Sequence, residues 1–444
     1  MSAMTHTADA RTVRKAVFAS TVGSVIEWFD FMLYGAAAAL VFPALFFPNS
    51  SPVTGVLLAF STYFVGFLAR PLGAAIFGHL GDRVGRKKAL MWTITLMGVG
   101  TVGIGLVPTY AVVGAFGPIL LVALRTLQGI GVGGEWGGAV LLAMESGRKG
   151  GEGFRGSFPQ AAGTIGIGGA NLAFMAVSML LSPEAFMTWG WRVPFLFSFV
   201  LILLALWIRS SLPETTAFAK AKESGDVSKA PVLEVLRDNP VQVLLAALLK
   251  SAEMIPVYIF ITFILSYGTG EHDYDRTTLL LMVSMAAFLS AGLMLVAGRV
   301  SDRLGHERVY SIGAVAMAVF AFVYFVMVES GSIALTSVAI LLSLVPYALM
   351  FAPEPIVIAK VFPTRTRYSG SSLGFNLAGI IGGGPAPFVA TWLATRHGGY
   401  AVACYIAVFG IIGVLVARTL QRSAGRKGEA EALDLPPTVE VSTP

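Results

Sequence analysis

The chain has 444 residues, 55% hydrophobic and 13% charged, with a formal net charge of +6 and a mean hydropathy of +0.75. About a quarter of an ordinary soluble domain is charged, and a surface with so few charges exposes apolar patches that aggregate. A soluble globular class is therefore excluded, and the apolar surface must face lipid. One cysteine, Cys404, excludes a disulfide framework and a Cys-rich metal site, and the positive charge reads as basic loops on one membrane side rather than as a nucleic-acid footprint.

A membrane span needs about 20 mostly apolar residues. In chain order, residues 1–14 are expected to form a cytoplasmic tail, and the first apolar run is no signal peptide, since it is too long and carries Glu27 and Asp30 in its middle. Six spans are predicted near 17–43, 53–78, 88–107, 113–144, 156–181 and 192–209, forming an N-terminal bundle over 15–209. A charged stretch with Pro213, Pro231 and Pro240 reads as a cytoplasmic linker, 210–240. Six further spans near 241–267, 277–298, 309–328, 333–359, 368–395 and 400–418 form a C-terminal bundle over 241–419. Residues 420–444, with Pro436, Pro437 and scattered Glu, are expected to be a disordered cytoplasmic tail. With the N-terminus inside, 25 of the 31 Lys and Arg fall on cytoplasmic segments, against Arg192, Arg276 and Arg396 outside and Arg70, Arg125 and Lys250 within spans. That asymmetry fixes the orientation, with both termini cytoplasmic.

The loop after the second span reads Gly78-His79-Leu80-Gly81-Asp82-Arg83-Val84-Gly85-Arg86-Lys87, and the loop after the eighth reads Gly298-Arg299-Val300-Ser301-Asp302-Arg303-Leu304-Gly305-His306-Glu307. Gly and Asp-Arg recur in register half a chain apart, which indicates two parallel six-span repeats. Glycine permits a tight turn, and an Asp at a span end can pair with an Arg and a neighbouring helix N-terminus. Gly78, Asp82, Arg83, Gly85, Arg86, Asp302 and Arg303 are therefore candidates for a conformational latch.

The first of these loops resembles the hallmark loop of the major facilitator superfamily, as Arg125-Thr126-Leu127-Gln128-Gly129 and Leu212-Pro213-Glu214-Thr215 resemble its motifs in span 4 and after span 6. Glu27-Trp28-Phe29-Asp30-Phe31, Arg70-Pro71-Leu72-Gly73, Gly133-Gly134-Glu135-Trp136 and Trp189-Gly190-Trp191-Arg192 are similar to its metabolite:proton symporter family. The resemblance implies an all-α integral membrane fold of twelve transmembrane helices in two six-helix halves, working by alternating access. Known members carry shikimate, α-ketoglutarate, citrate, or proline and betaine, so the cargo stays open. His306-Glu307 depart from the basic residues usual at that place in the second loop.

An ionisable side chain at mid-membrane is costly and points to function. Glu27, Asp30 and Tyr34 share one helical face; so do Arg125, Gln128, Val132 and Glu135, and so do Gln160, Thr164 and Asn171. Such polar stripes should line a shared interior, with Asp30 expected to face Arg125. The five histidines lie in tails, loops or span ends, so carboxylates must carry any proton: Asp30 first, then Glu27 and Glu135. Counting Glu253 and Glu354 as well, the embedded acids outnumber the embedded bases by two, and protonation would remove that excess. Arg70 and Arg125 offer bidentate forks for a carboxylate. Tyr34, Gln128, Gln160, Lys250, Glu253, Tyr258 and Asn376 complete the candidate substrate site, and the Lys250-x-x-Glu253 spacing looks similar to the shikimate-carrying branch.

The expected function is proton-coupled symport of a small mono- or dicarboxylic acid, shikimate-like or aromatic. A zwitterionic osmolyte such as proline or betaine is the alternative cargo, a channel or uniporter the alternative class, and sodium the alternative ion. No P-loop sequence and no mid-membrane His are present, which argues against a pump and an enzyme. No metal or cofactor is expected beyond a proton gradient, the partners are lipid, substrate and protons without nucleic acid, and a monomer in a bacterial-type inner membrane is expected.

Overall fold

The computed structural model describes residues 10–84, 86–133, 151–210, 231–362 and 367–433, with backbone alone for some helix ends. Among these residues every regular element is helical. Twelve long helices follow one another: α1 (Ala10–Leu40), α2 (Pro52–Val84), α3 (Arg86–Leu106), α4 (Phe116–Gly133), α5 (Glu152–Leu180) and α6 (Arg192–Ser210); then α7 (Pro240–Glu271), α8 (Arg276–Leu304), α9 (His306–Glu329), α10 (Ile333–Ala359), α11 (Ser369–His397) and α12 (Gly399–Leu433). By length and composition, ten of the described helices can cross a membrane, or eleven when Pro183–Gly190 and Arg192–Ile208, bent by 46°, count as one span. The first expected span, in α1, is not among the ten; Glu27 and Asp30 interrupt its apolar run.

Local chemistry sets the boundaries. Asp275 caps α8 by accepting from the Thr278 amide at 2.8 Å. The turn from α8 to α9 passes through Gly305 at φ +93°, a left-handed conformation that needs glycine and that explains this residue in the repeated loop. Three features differ from expectation. Helix α12 runs on to Leu433 because the segment after Arg418 is rich in Ala, Glu, Lys and Arg, all good helix formers; the Pro pair that suggested disorder begins only at 436. Helix α1 starts at Ala10, and the linker contains a helix, Pro231–Asp238, with Pro at its first position.

Packing repeats with the sequence. In the first half α1 packs on α5 and α6, α4 on α2 and α3, and α3 on α6; in the second half α7 packs on α11 and α12, α10 on α8 and α9, and α9 on α12. Each contact recurs six helices later, as parallel repeats require. The halves meet chiefly along α5–α8 and α2–α11, with smaller contacts of α1 with α7 and of α5 with α10. Apolar side chains such as Trp92, Phe197, Phe199, Trp207, Val319 and Leu415 are exposed on the perimeter, where lipid would cover them.

Candidate substrate and ion site

The N-terminal half builds an aromatic frame around two arginines. Tyr63, Phe67 and Arg70 fall at i, i+4 and i+7 of α2, so they share a face. Phe31 and Tyr34 approach from α1. The Arg70 guanidinium carbon lies 4.4 Å from the Phe31 ring centroid and 4.5 Å from that of Phe67. The Arg125 guanidinium carbon lies 4.2, 4.3 and 4.7 Å from the rings of Phe31, Tyr34 and Tyr63. Desolvated contacts of this kind are worth about 2 kcal/mol or more. Helix α2 runs on through Pro71, which has no amide hydrogen to give the helical bond to the Phe67 carbonyl. Gly66 makes room for Arg125: a Cβ there would collide with Arg125 Nε.

Polar partners fix this frame without neutralising it. Arg125 Nη1 donates to Gln128 Oε1. Gln128 Nε2 in turn donates to Thr101 Oγ1 at 2.9 Å and to the Asp30 backbone carbonyl at 3.3 Å. Tyr34 donates to Thr62 Oγ1 at 2.7 Å. Arg70 feels the charge of Glu27, yet Arg70 Nε, Arg125 Nε and Arg125 Nη2 have no hydrogen-bond acceptor among the described residues. Arg70 and Arg125 are both buried and close enough to repel one another. Tyr258 of α7 closes the frame from the other half, 6.0 Å from Tyr63 and 5.6 Å from Phe67 between ring centroids.

Asp30 corrects an expectation. Its carboxylate does not meet Arg125; it points between α3 and α6, toward Thr101 and Ser198, and neither oxygen makes a well-formed hydrogen bond. Asp30 is nonetheless wholly buried. The i, i+3 spacing placed Asp30 on the buried face with Glu27, but that face is broad enough to look both toward the axis and toward α3.

The C-terminal half holds a second charged centre. Lys250 Nζ lies 2.6 Å from Glu253 Oε2 and 2.7 Å from Glu354 Oε2, and all three are buried. The same ammonium sits 4.3 Å from the Phe351 ring centroid and 5.3 Å from that of Phe375. Lys250 and Glu253 therefore bind one another and Glu354, which leaves Lys250 occupied rather than open to a ligand. Sequence spacing found the Lys250–Glu253 pair but missed Glu354 as its third member, 104 positions away; the Pro353-Glu354-Pro355 break was its available signal.

Among the contacts across the halves, one comes from the second repeated loop. Asp302 at the end of α8 accepts from the backbone amides of Gly153 and Phe154 at 2.7 and 2.9 Å, placing its charge on the N-terminus of α5. Asp302 thus ties α8 to α5 despite the departure at His306-Glu307, and His306 Nδ1 approaches Ser301 Oγ at 3.0 Å. Arg303 is exposed. Gln160 Nε2 donates to the Phe351 carbonyl at 3.2 Å, and Asn376 Nδ2 reaches the Gly133 carbonyl at 3.5 Å. Glu135 and Gly85 lie outside the described residues, as do the side chains of Asp82, Arg83 and Arg86 and the surroundings of Gly78. A cavity of about 20 Å³ between α5, α7, α8 and α10, lined by Thr164, Val257 and Tyr347, has room for about one water.

The sequence matches the Major Facilitator Superfamily over residues 21–387 and 254–439. The chain belongs to that superfamily. Among curated relatives it is 38% identical to the shikimate transporter of Escherichia coli K12, over 92% of this chain and 95% of that one. It is 39% identical to the inner membrane metabolite transport protein YhjE of the same organism, over 88% and 90%, and 32% identical to its proline/betaine transporter, over 94% and 85%. These relatives put the chain in the metabolite:proton symporter family, as the sequence resemblance implied. The fold is similar to that of the D-xylose-proton symporter (TM-score 0.70, 20% identity, 92% of this chain and 97% of that chain) and of the xylose transporter XylE in a partially occluded inward-open conformation (TM-score 0.72, 17% identity, 93% and 98%). The superfamily member described here is a multi-pass membrane transporter of a small molecule, not an enzyme.

Proposed function

We propose that this transporter carries a small carboxylic acid together with protons, by alternating access, across a bacterial inner membrane with both termini cytoplasmic. The observation that carries the reading is the pair of buried guanidiniums, Arg70 and Arg125, with Nε and Nη2 atoms left without acceptors among the described residues. Two adjacent buried cations that repel, with Arg70 Nε, Arg125 Nε and Arg125 Nη2 still without acceptors among the described residues, form a site to which a carboxylate brings both charge and lone pairs. The relative named for shikimate supports a cyclic acid. The osmolyte reading is weaker. A quaternary ammonium needs vacant aromatic faces, and here the faces of Phe31, Tyr34, Tyr63 and Phe67 already hold guanidiniums.

Buried Asp30, with no well-formed hydrogen bond to its oxygens, is held best as the neutral acid and is the proton group we assign to the N-terminal half. The test is uptake into proteoliposomes. Labelled shikimate should accumulate when an inward proton gradient is imposed, without sodium, and unlabelled carboxylic acids should compete better than proline or betaine. Accumulation that follows sodium, or that proceeds equally with no gradient, would overturn the coupling.

A further inference from the structure

We propose that Lys250, Glu253 and Glu354 together hold one dissociable proton, and that this C-terminal triad is a second coupling site that governs movement of α10. For its role in transport the inference rests on the symport reading above. The charge count carries it first. One ammonium lies between two carboxylates at 2.6 and 2.7 Å, so the fully ionised triad is a buried net anion, whereas one added proton makes it neutral. Burial without a counter-charge favours that neutral form. Glu354 is where the proton belongs, because its Oε1 has no partner among the described residues while Glu253 faces the Tyr347 hydroxyl.

Every helix packed against Glu354 contributes to its surroundings. Lys250 and Glu253 face it from α7, Tyr310 from α9 and Tyr347 from α10 itself. The groups set here by α5 and α11 are uncharged, Gln160 and Phe375, and Lys360 at the end of α10 turns to Glu307 at 3.6 Å instead.

The second support is mechanical. The helical hydrogen bond to the Phe351 carbonyl would come from residue 355, which is proline and has no amide hydrogen. The α10 ladder is therefore open two residues before Pro353-Glu354, and Gln160 of the other half fills the vacancy. The triad thus sits on the hinge of α10, at the seam between the halves. Deprotonation strengthens the hold of Lys250 on Glu354 and ties the end of α10 to α7; protonation loosens it.

The experiment is infrared difference spectroscopy of the full chain in lipid, paired with proteoliposome transport using shikimate as the probe. Glu354→Gln and Glu253→Gln each leave a neutral Lys–Glu pair, so each should remove one carboxylic-acid carbonyl component that Asp30→Asn leaves in place. Lys250→Met should add one. Both glutamine variants should lose about tenfold or more of the gradient-driven accumulation, Glu354→Gln while still exchanging shikimate at a near wild-type rate, and Glu354→Asp should restore accumulation. An unchanged carbonyl absorption in both glutamine variants would overturn the proton assignment, and full accumulation in both would overturn the coupling role. Failure of the wild type itself to accumulate overturns the symport reading, while the spectra still decide the proton.

Discussion

At the scale of single residues, the arginines set the energetics. Arg70 gains its place from two ring faces and the field of Glu27, but its planar fork, not only its charge, meets a carboxylate. Arg70→Lys should therefore weaken substrate binding by about 1.5–3 kcal/mol, the scale of a charged hydrogen bond, measured as the affinity of labelled shikimate for purified protein. Unchanged affinity would take Arg70 out of the site. A methyl group at Gly66 tests the neighbour indirectly. Gly66→Ala should push Arg125 off its rings and cut affinity without touching the arginine itself, and Arg125→Lys combined with Gly66→Ala should add little to either alone. Asp30→Asn fixes a neutral group where the structure buries an acid. It should preserve shikimate exchange and reduce accumulation under a proton gradient; accumulation at wild-type level would leave the N-terminal half without a coupling proton at Asp30.

At the scale of elements, sequence periodicity reported burial better than direction. The stripes Asp30–Tyr34, Arg125–Gln128 and Gln160–Thr164–Asn171 are all buried, as 3.6-residue spacing requires. Periodicity does not say which neighbour a broad face meets, so Asp30 turned out to face α3 and α6. Pairs close in sequence, such as Lys250 and Glu253, were legible; partners joined only by tertiary packing, such as Glu354 with Lys250 or Asp302 with the start of α5, were not. The tight fit of α4 on α2 belongs to the same class. A Cβ on Gly129 or Gly133 would strike the backbone of α2 at Gly66 or Arg70, a small-residue contact of the kind that lets membrane helices pack closely. Gly129→Val should cost about 1–3 kcal/mol of stability through overpacking, seen as a lower melting temperature in detergent.

At the scale of the whole molecule, the two halves share one packing plan and meet along two main seams. The loop repeat pointed to that plan from sequence alone, because it is written in local sequence, whereas the identity of the seam helices depends on packing. Loosening one seam should shift the carrier between states. Asp302→Asn weakens the charge-assisted hold on the Gly153 and Phe154 amides, and Gln160→Leu removes the bond to Phe351. With Cys404 replaced, a cysteine at Ser157 should label faster from the loop side in either variant, while labelling at the wild-type rate would show that these contacts do not hold the seam.

The seam also bounds how tightly a cargo can usefully bind. Its described hydrogen bonds are those of Asp302, Gln160 and Asn376, each worth about 0.5–3 kcal/mol net, so a ligand needs to supply only several kcal/mol to undo them and tip the carrier from one face to the other. A ligand can shift such an equilibrium only by the difference in its affinity for the two states, and micromolar binding, about 8 kcal/mol in all, already covers that sum. A molecule that filled the arginine frame with nanomolar affinity would gain nothing in transit; it would dwell there and act as an inhibitor, so good cargo for this protein is cargo held briefly.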